Sequence, residues 1–263
     1  TRSISGIIFI TLLVFATLFS EISFIALFSA FAFIAVFEFC SLIKLDAKIP
    51  YLLVVIAIAL GVVLDTHSPT NNIVLVAATL FVSINLMINL FKTSKNELFS
   101  SDLAGKYIQL LGYVIFPFVI IMKLPYIQGS FTPQIVIGIF VLIWTNDTFA
   151  YIFGKYLGKN KLFERVSPKK TIEGFIGGMA VCLIVAYILS IYFTFLTPIQ
   201  WLVLGLIMSV IGTIGDLVES KYKRIAGVKD SGKIMPGHGG ILDRLDSVIF
   251  AVPFIYFVLF FIS

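Results

Sequence analysis

The stretch from Gln200 to Lys223 reads QWLVLGLIMSVIGTIGDLVESKYK. Nothing in it is charged before Asp216, and Asp216, Glu219, Ser220 and Lys223 then follow at i, i+3, i+4 and i+7. In a helix that spacing places all four on one face. An apolar helix that turns charged over its last turns has the pattern of a membrane span leaving the bilayer. The rest of the chain repeats the apolar part of this pattern. A crossing needs about 20 mostly apolar residues, and candidates lie near 4–19, 22–43, 50–64, 72–91, 105–122, 132–154, 174–195, 200–217 and 244–262. The composition agrees. Apolar residues make up 59% of the 263 positions and charged residues 13%, against roughly 45–50% and about 25% in soluble domains. A chain this apolar cannot cover itself with polar surface, which excludes a soluble globule and a disordered segment alike. The expected fold class is all-α: a polytopic transmembrane helix bundle of about nine spans with no separate soluble domain.

Orientation follows from lysine and arginine. With nine spans, 18 of the 19 Lys and Arg fall on one face and only Lys123 on the other. That face is expected to be cytoplasmic. The first segment has no small-residue cleavage site behind it and reads as a retained helix. The net charge of +5 belongs to these loops and gives no reason to expect a nucleic-acid partner. Cys40 and Cys182 each stand alone in apolar runs, as small buried hydrophobes would. Residues 1–131 read as a transmembrane scaffold, and 132–263 as a catalytic half with cytoplasmic loops within a single membrane domain. In the scaffold Asn85 and Asn89 share a helical face and are expected to bond across helices; Glu38 reads as a structural carboxylate at a helix end.

Charged residues concentrate between Asp147 and Asp246. Beyond the helix of Asp216, a basic loop leads to PGHGG (236–240) and then to Asp243, Arg244 and Asp246 at the start of the last span. Carboxylates at two adjoining helix ends can present several oxygens to one point, a donor set suited to Mg²⁺. Ordinary ion pairing with Lys221, Arg224 or Arg244 is the plainer alternative, but three aspartates at membrane depth are costly enough to favour a site. Asp147, on the stripe Trp144, Asp147, Tyr151 and Gly154, divides evenly between structural pairing and a site role. GVKDSGK (227–233) imitates a nucleotide-binding loop, yet Ile234 replaces the hydroxyl residue and Met235-Pro236-Gly237 replaces the helix that should follow. In RVSPKKTIEG (165–174), Ser167-Pro168 reads as a helix entrance with Lys169 and Lys170 beside it, an arrangement that suits phosphate.

The run SKYKRIAGVKDSGKIMPGHGGILDRLD (220–246) closely resembles the signature of the phosphatidate cytidylyltransferase, or CDP-diacylglycerol synthase, family. SPKKTIEG and WTNDTFAY resemble that family's upstream motifs. Tyr222 and Met235 stand where other large apolar residues are expected, and the motifs cover residues 144–246 only. The resemblance implies a multi-pass bacterial inner-membrane enzyme, dimeric, with its active site on the cytoplasmic side and Mg²⁺ required. One or two metal ions are compatible with the acids. It implies transfer of CMP from CTP to phosphatidic acid, with the lipid phosphate attacking the α-phosphorus in line and pyrophosphate leaving. On that basis Asp216, Asp243 and Asp246 are assigned to metal, with Glu219 and Asp147 as weaker ligands. Lys170 is assigned to catalysis. Lys169, Lys170, Lys229 and Arg244 are to hold phosphates, while Ser167, Ser220, His238 and Gly239 contact substrate.

Two rivals differ in testable ways. A CTP-using polyprenol or dolichol kinase would transfer the γ-phosphate, and a transporter would show midplane charges and inverted repeats, neither of which is visible. Asp216→Asn or Asp243→Asn is expected to leave the protein inserted but abolish turnover, with no recovery at high CTP; a normal rate in either variant removes that residue from the metal set.

Overall fold

The structure is a computed structural model, and it describes residues 2–64, 69–92, 98, 100–235, 237 and 239–262. Among these residues there are nine helices, one over each predicted span. They are α1 (Arg2–Phe19), α2 (Glu21–Ile43), α3 (Lys48–Val63), α4 (Pro69–Phe91), α5 (Leu103–Tyr126), α6 (Gln134–Leu157), α7 (Ile172–Tyr192), α8 (Pro198–Ile225) and α9 (Leu242–Ile262). Seven are long and apolar enough to cross a membrane; α1 and α3 contribute shorter apolar stretches. The chain is an all-α polytopic bundle.

The polar residues at the helix starts explain several boundaries. Ser20 and Thr197 close capping boxes at the heads of α2 and α8, each satisfying N–H groups that a helix start leaves open. The predicted entrance at Ser167-Pro168 lies elsewhere. Ser167–Thr171 is a strand, β2, paired antiparallel with β1 (Lys161–Phe163). The helix begins only at Ile172, where the Thr171 hydroxyl accepts from the Gly174 N–H at 3.1 Å. Thr171 therefore outcompetes Ser167 as the cap, and such a cap is worth about 1 kcal/mol.

Most of α5 is buried, with α2, α3, α4 and α9 around it. Helices α6 to α9 pack closely on one another, and small residues bring them together. A β-carbon at Gly178 would strike the Asn146 carbonyl of α6, and one at Gly215 would strike Phe250 and the Asp246 carbonyl of α9. In lipid, where neighbouring tails are as apolar as leucine, this close approach carries much of the packing between helices. The paired asparagines behave differently from expectation. Asn85 donates to the Phe81 carbonyl of its own helix and Asn89 to the Leu98 carbonyl. Both find backbone acceptors nearby, and among the described residues neither side chain bonds across to another span. Cys40 and Cys182 are buried free thiols.

Gly215→Val would force α8 away from α9 beneath the acidic residues. It is expected to cost on the order of 2 kcal/mol, read as a lower unfolding midpoint in detergent; an unchanged midpoint contradicts this account of the contact.

Candidate active site

The charged ends of α8 and α9 converge. On α8, Glu219 is completely buried, and Ser220 and Lys223 nearly so. The Ser220 hydroxyl donates to Asp216 Oδ1 at 3.2 Å. Lys223 Nζ pairs with Glu219 one turn back and reaches Asp243 Oδ1 of α9 at 2.6 Å. One ammonium thus serves carboxylates on two helices. The other oxygen of Asp243 accepts from the Ser231 N–H (2.8 Å), the Ser231 hydroxyl (2.9 Å) and the Gly240 N–H (2.7 Å). Asp243 is therefore largely occupied in shaping the loop before α9. Gly239 within that loop has φ +87°, a conformation that suits glycine, and a side chain there would also meet the Asp243 carboxylate.

Asp246, one turn further along α9, is buried and faces the α8 acids. One oxygen from each of Asp216, Glu219 and Asp246 lies within 4.8 Å of the others. The hairpin brings Lys170 over this cluster, with Nζ 2.5 Å from Asp216 Oδ2. Partial burial pulls against the Lys170 charge, but the Asp216 carboxylate, backed by Asp147 and Asp246, holds its pKa above the ordinary lysine value. Lys170 consequently stays cationic throughout the neutral range.

A 460 Å³ cavity opens beside these groups. Trp144 and Asp147 of α6, Asp216 and Lys223 of α8, Asp230 and Met235 of the loop, and Asp243, Arg244 and Asp246 of α9 line it, while Gly6, Phe9 and Ile10 of α1 form an apolar wall. Asp147, Lys170, Asp216, Glu219, Ser220, Asp243, Arg244 and Asp246 are accordingly brought together. Lys169 is exposed on the alternate side of β2 from Lys170, because successive strand side chains point to opposite faces. Lys229 is likewise exposed on the loop, and Ser167 stands at the far end of the strand from Thr171. His238 lies outside the described residues.

Three participants had no assigned role. Lys223 shares the helical stripe of Asp216 and Glu219, which is a signal for it. Asp230 and Ser231 carry no periodic signal, since only the fold of the loop returns them to the site. Glu38 of α2, read from the sequence as a structural carboxylate at a helix end, has partners the sequence did not indicate: its carboxylate accepts from the Ile241 and Leu242 N–H groups at 3.1 and 2.8 Å. Tyr222, the departure from the expected motif, donates its hydroxyl to Gln109 Oε1 of α5 at 2.6 Å and lays its ring edge-on against Phe39 at 5.1 Å.

A sequence profile of the cytidylyltransferase family matches residues 1–262. The chain belongs to the cytidylyltransferase family. Among curated proteins, phosphatidate cytidylyltransferase of Staphylococcus aureus (strain COL) is 52% identical over 122 residues, 46% of each chain. That of Staphylococcus haemolyticus is 51% identical over 122 residues, 46% of each chain. That of Bacillus subtilis (strain 168) is 52% identical over 120 residues, 45% of each chain. The alignments therefore span just under half the length of these relatives.

The acids suit a divalent cation. Asp216, Glu219 and Asp246 offer hard oxygen donors from two helices. Among the described residues, Glu219 meets the Lys223 ammonium as an ion pair, and neither of its buried oxygens has a further hydrogen-bond donor. Manganese, as a paramagnetic stand-in, should bind the detergent-purified protein, and Glu219→Gln or Asp246→Asn should weaken binding at least about tenfold. Equal affinity in parent and variants, measured by electron paramagnetic resonance, would remove the triad as the binding site.

Proposed function

We propose that the protein transfers CMP from CTP to phosphatidic acid, giving CDP-diacylglycerol and pyrophosphate, for phospholipid synthesis. The observation that carries this reading is the composition of the cavity beside the acids. Its floor joins Asp216, Asp243 and Asp246 to Lys223 and Arg244, while an apolar wall comes from α1, whose Ile7 and Ile8 are exposed. A water-soluble nucleotide and a lipid that stays in the bilayer can meet only at a place with both characters. Membership of the family and the names of the relatives support the same reaction.

Both reactants are polyanions, so the residues act chiefly by neutralising charge and fixing geometry. Lys170, Lys223 and Arg244 would hold phosphate oxygens, with the Ser220 hydroxyl and the backbone around Gly239 as neutral donors. Lys169, Lys229 and Ser167 would act at the margin of the site, where incoming phosphates first meet positive charge, and His238 would contact substrate. Asp216, Glu219 and Asp246 would hold Mg²⁺, with Asp147 and Asp243 beside them, and a second ion is compatible with that number of acids. When bound, the cation would offset charge on the transferring and departing phosphates. The lipid phosphate oxygen attacks the α-phosphorus, a new P–O bond forms there, and the bond to the β-phosphate oxygen breaks opposite it. The attacking phosphate is already ionised near neutral pH, so no general base is needed.

The protein would sit in a bacterial inner membrane with this site on the cytoplasmic face, as the lysine and arginine distribution favours. Residues 1–131 would serve mainly as scaffold and 132–263 as the catalytic half. A homodimer would use α7 well, because it is the least covered span and exposes Ile176, Ile184, Tyr187 and Ile191.

Detergent-purified protein given α-labelled CTP and phosphatidate should yield a CMP-bearing lipid and pyrophosphate with Mg²⁺ and neither without it. CDP and a phosphorylated alcohol would instead identify γ-phosphate transfer. Lys170→Ala should raise the apparent KM for CTP or phosphatidate at least about tenfold, the loss of a charged hydrogen bond, and Lys169→Ala much less. Equal effects of the two would show that loop charge matters and placement does not.

A further inference from the structure

Glu38 sits in the middle of the N-terminal half yet meets partners 193 to 204 residues away. It is almost wholly buried, with 3% exposure. Its carboxylate accepts from the backbone N–H groups of Ile241 (3.1 Å) and Leu242 (2.8 Å) and from the Ser231 hydroxyl (3.3 Å). Removing a carboxylate from water costs several kcal/mol unless donors replace the hydration. Here the donors are backbone groups at the head of α9, where the helix dipole also favours an anion.

Two glycines close on the same carboxylate. A β-carbon at Gly232 or at Gly240 would overlap Glu38 atoms. Neither glycine has positive φ, so the backbone there would accept alanine and the obstacle is Glu38 itself. The loop is pressed onto this side chain from both of its ends. Ser231 completes the arrangement, because its hydroxyl lies within reach of both Glu38 and Asp243 while its N–H serves Asp243. Leu242, held by Glu38, opens the helix that presents Asp243 and Asp246.

We infer that Glu38 is a positioning residue: the loop between Ser231 and Leu242 closes on its carboxylate, which sets where Asp243 and Asp246 stand relative to Asp216 and Glu219. The activity arm of the test rests on the proposed CMP transfer; the stability arm does not.

Glu38→Gln keeps the volume but replaces one acceptor oxygen with an NH₂ facing backbone donors. It should remain inserted and folded while CMP transfer falls at least about tenfold, on the order of one charged hydrogen bond. Parental turnover in this variant would mean that Glu38 merely fills space, overturning the inference. The stability arm compares Gly240→Ala, Glu38→Ala and the double variant by unfolding midpoint in detergent with chelator. Gly240→Ala should lower the midpoint in the parent and cost nothing further once Glu38 is truncated. Additive losses would overturn the proposed contact. If Glu38→Ala does not fold, Glu38→Asp, one methylene shorter, takes its place in the same cycle. Should the parent make no CMP-lipid, the proposed reaction fails while the coupling between residues 38 and 240 still decides the positioning role.

Discussion

A carboxylate at the end of a membrane helix persists only where neighbouring groups replace the water it has lost. This requirement organises the charged end of the bundle. Lys223 answers it for Glu219 and Asp243 at once, Lys170 answers it for Asp216, and backbone N–H groups answer it for Glu38 and the second oxygen of Asp243. The helices are consequently joined by polar contacts where they carry charge and by close glycine packing deeper in the bundle. Removing Lys223 would leave buried anions facing one another, a far larger penalty than the loss of a surface ion pair.

The compensation is uneven. Asp243 has donors on both oxygens, whereas Glu219 has an ammonium on one oxygen and no further donor among the described residues. The two acids differ in kind: Asp243 is committed to the loop, whereas Glu219 meets only the Lys223 ammonium among the described residues. Spacing along a helix cannot express that difference, because it depends on which loop backbone folds back against which acid.

The fold was legible because apolar run length is a local property, and all nine runs became helices. The stripe Asp216, Glu219, Ser220 and Lys223 was legible for the same reason: periodicity places residues on a face within one helix. What escaped was set by competition or by distance. Ser167 had the form of a helix cap, but Thr171, closer to the apolar run, took that position, and the residues before it paired as a hairpin. Strand alternation then separated Lys169 from Lys170, which a helical reading could not foresee. Asn85 and Asn89 satisfied themselves on nearby carbonyls before any neighbouring helix could compete. Glu38 was legible as a structural carboxylate at a helix end, but its partners were not, since nothing in its own helix points to residues about two hundred positions later.

The hairpin that bears Lys170 is held at both ends. At its base Glu173 accepts from the Lys159 and Asn160 N–H groups at 3.0 and 3.1 Å. Toward its turn Phe163 meets Phe91 of α4 edge-on at 5.7 Å, and Val166 is buried. A strap fastened in this way has little room to lift. The proposed exchange of Asp216 for a phosphate at Lys170 would therefore fall to the four-carbon side chain, by rotation about its own bonds. Such rotations take picoseconds to nanoseconds in exposed side chains; for Lys170, ion-paired and 27% exposed, the parting of that pair sets the pace, and the bundle beneath need not move.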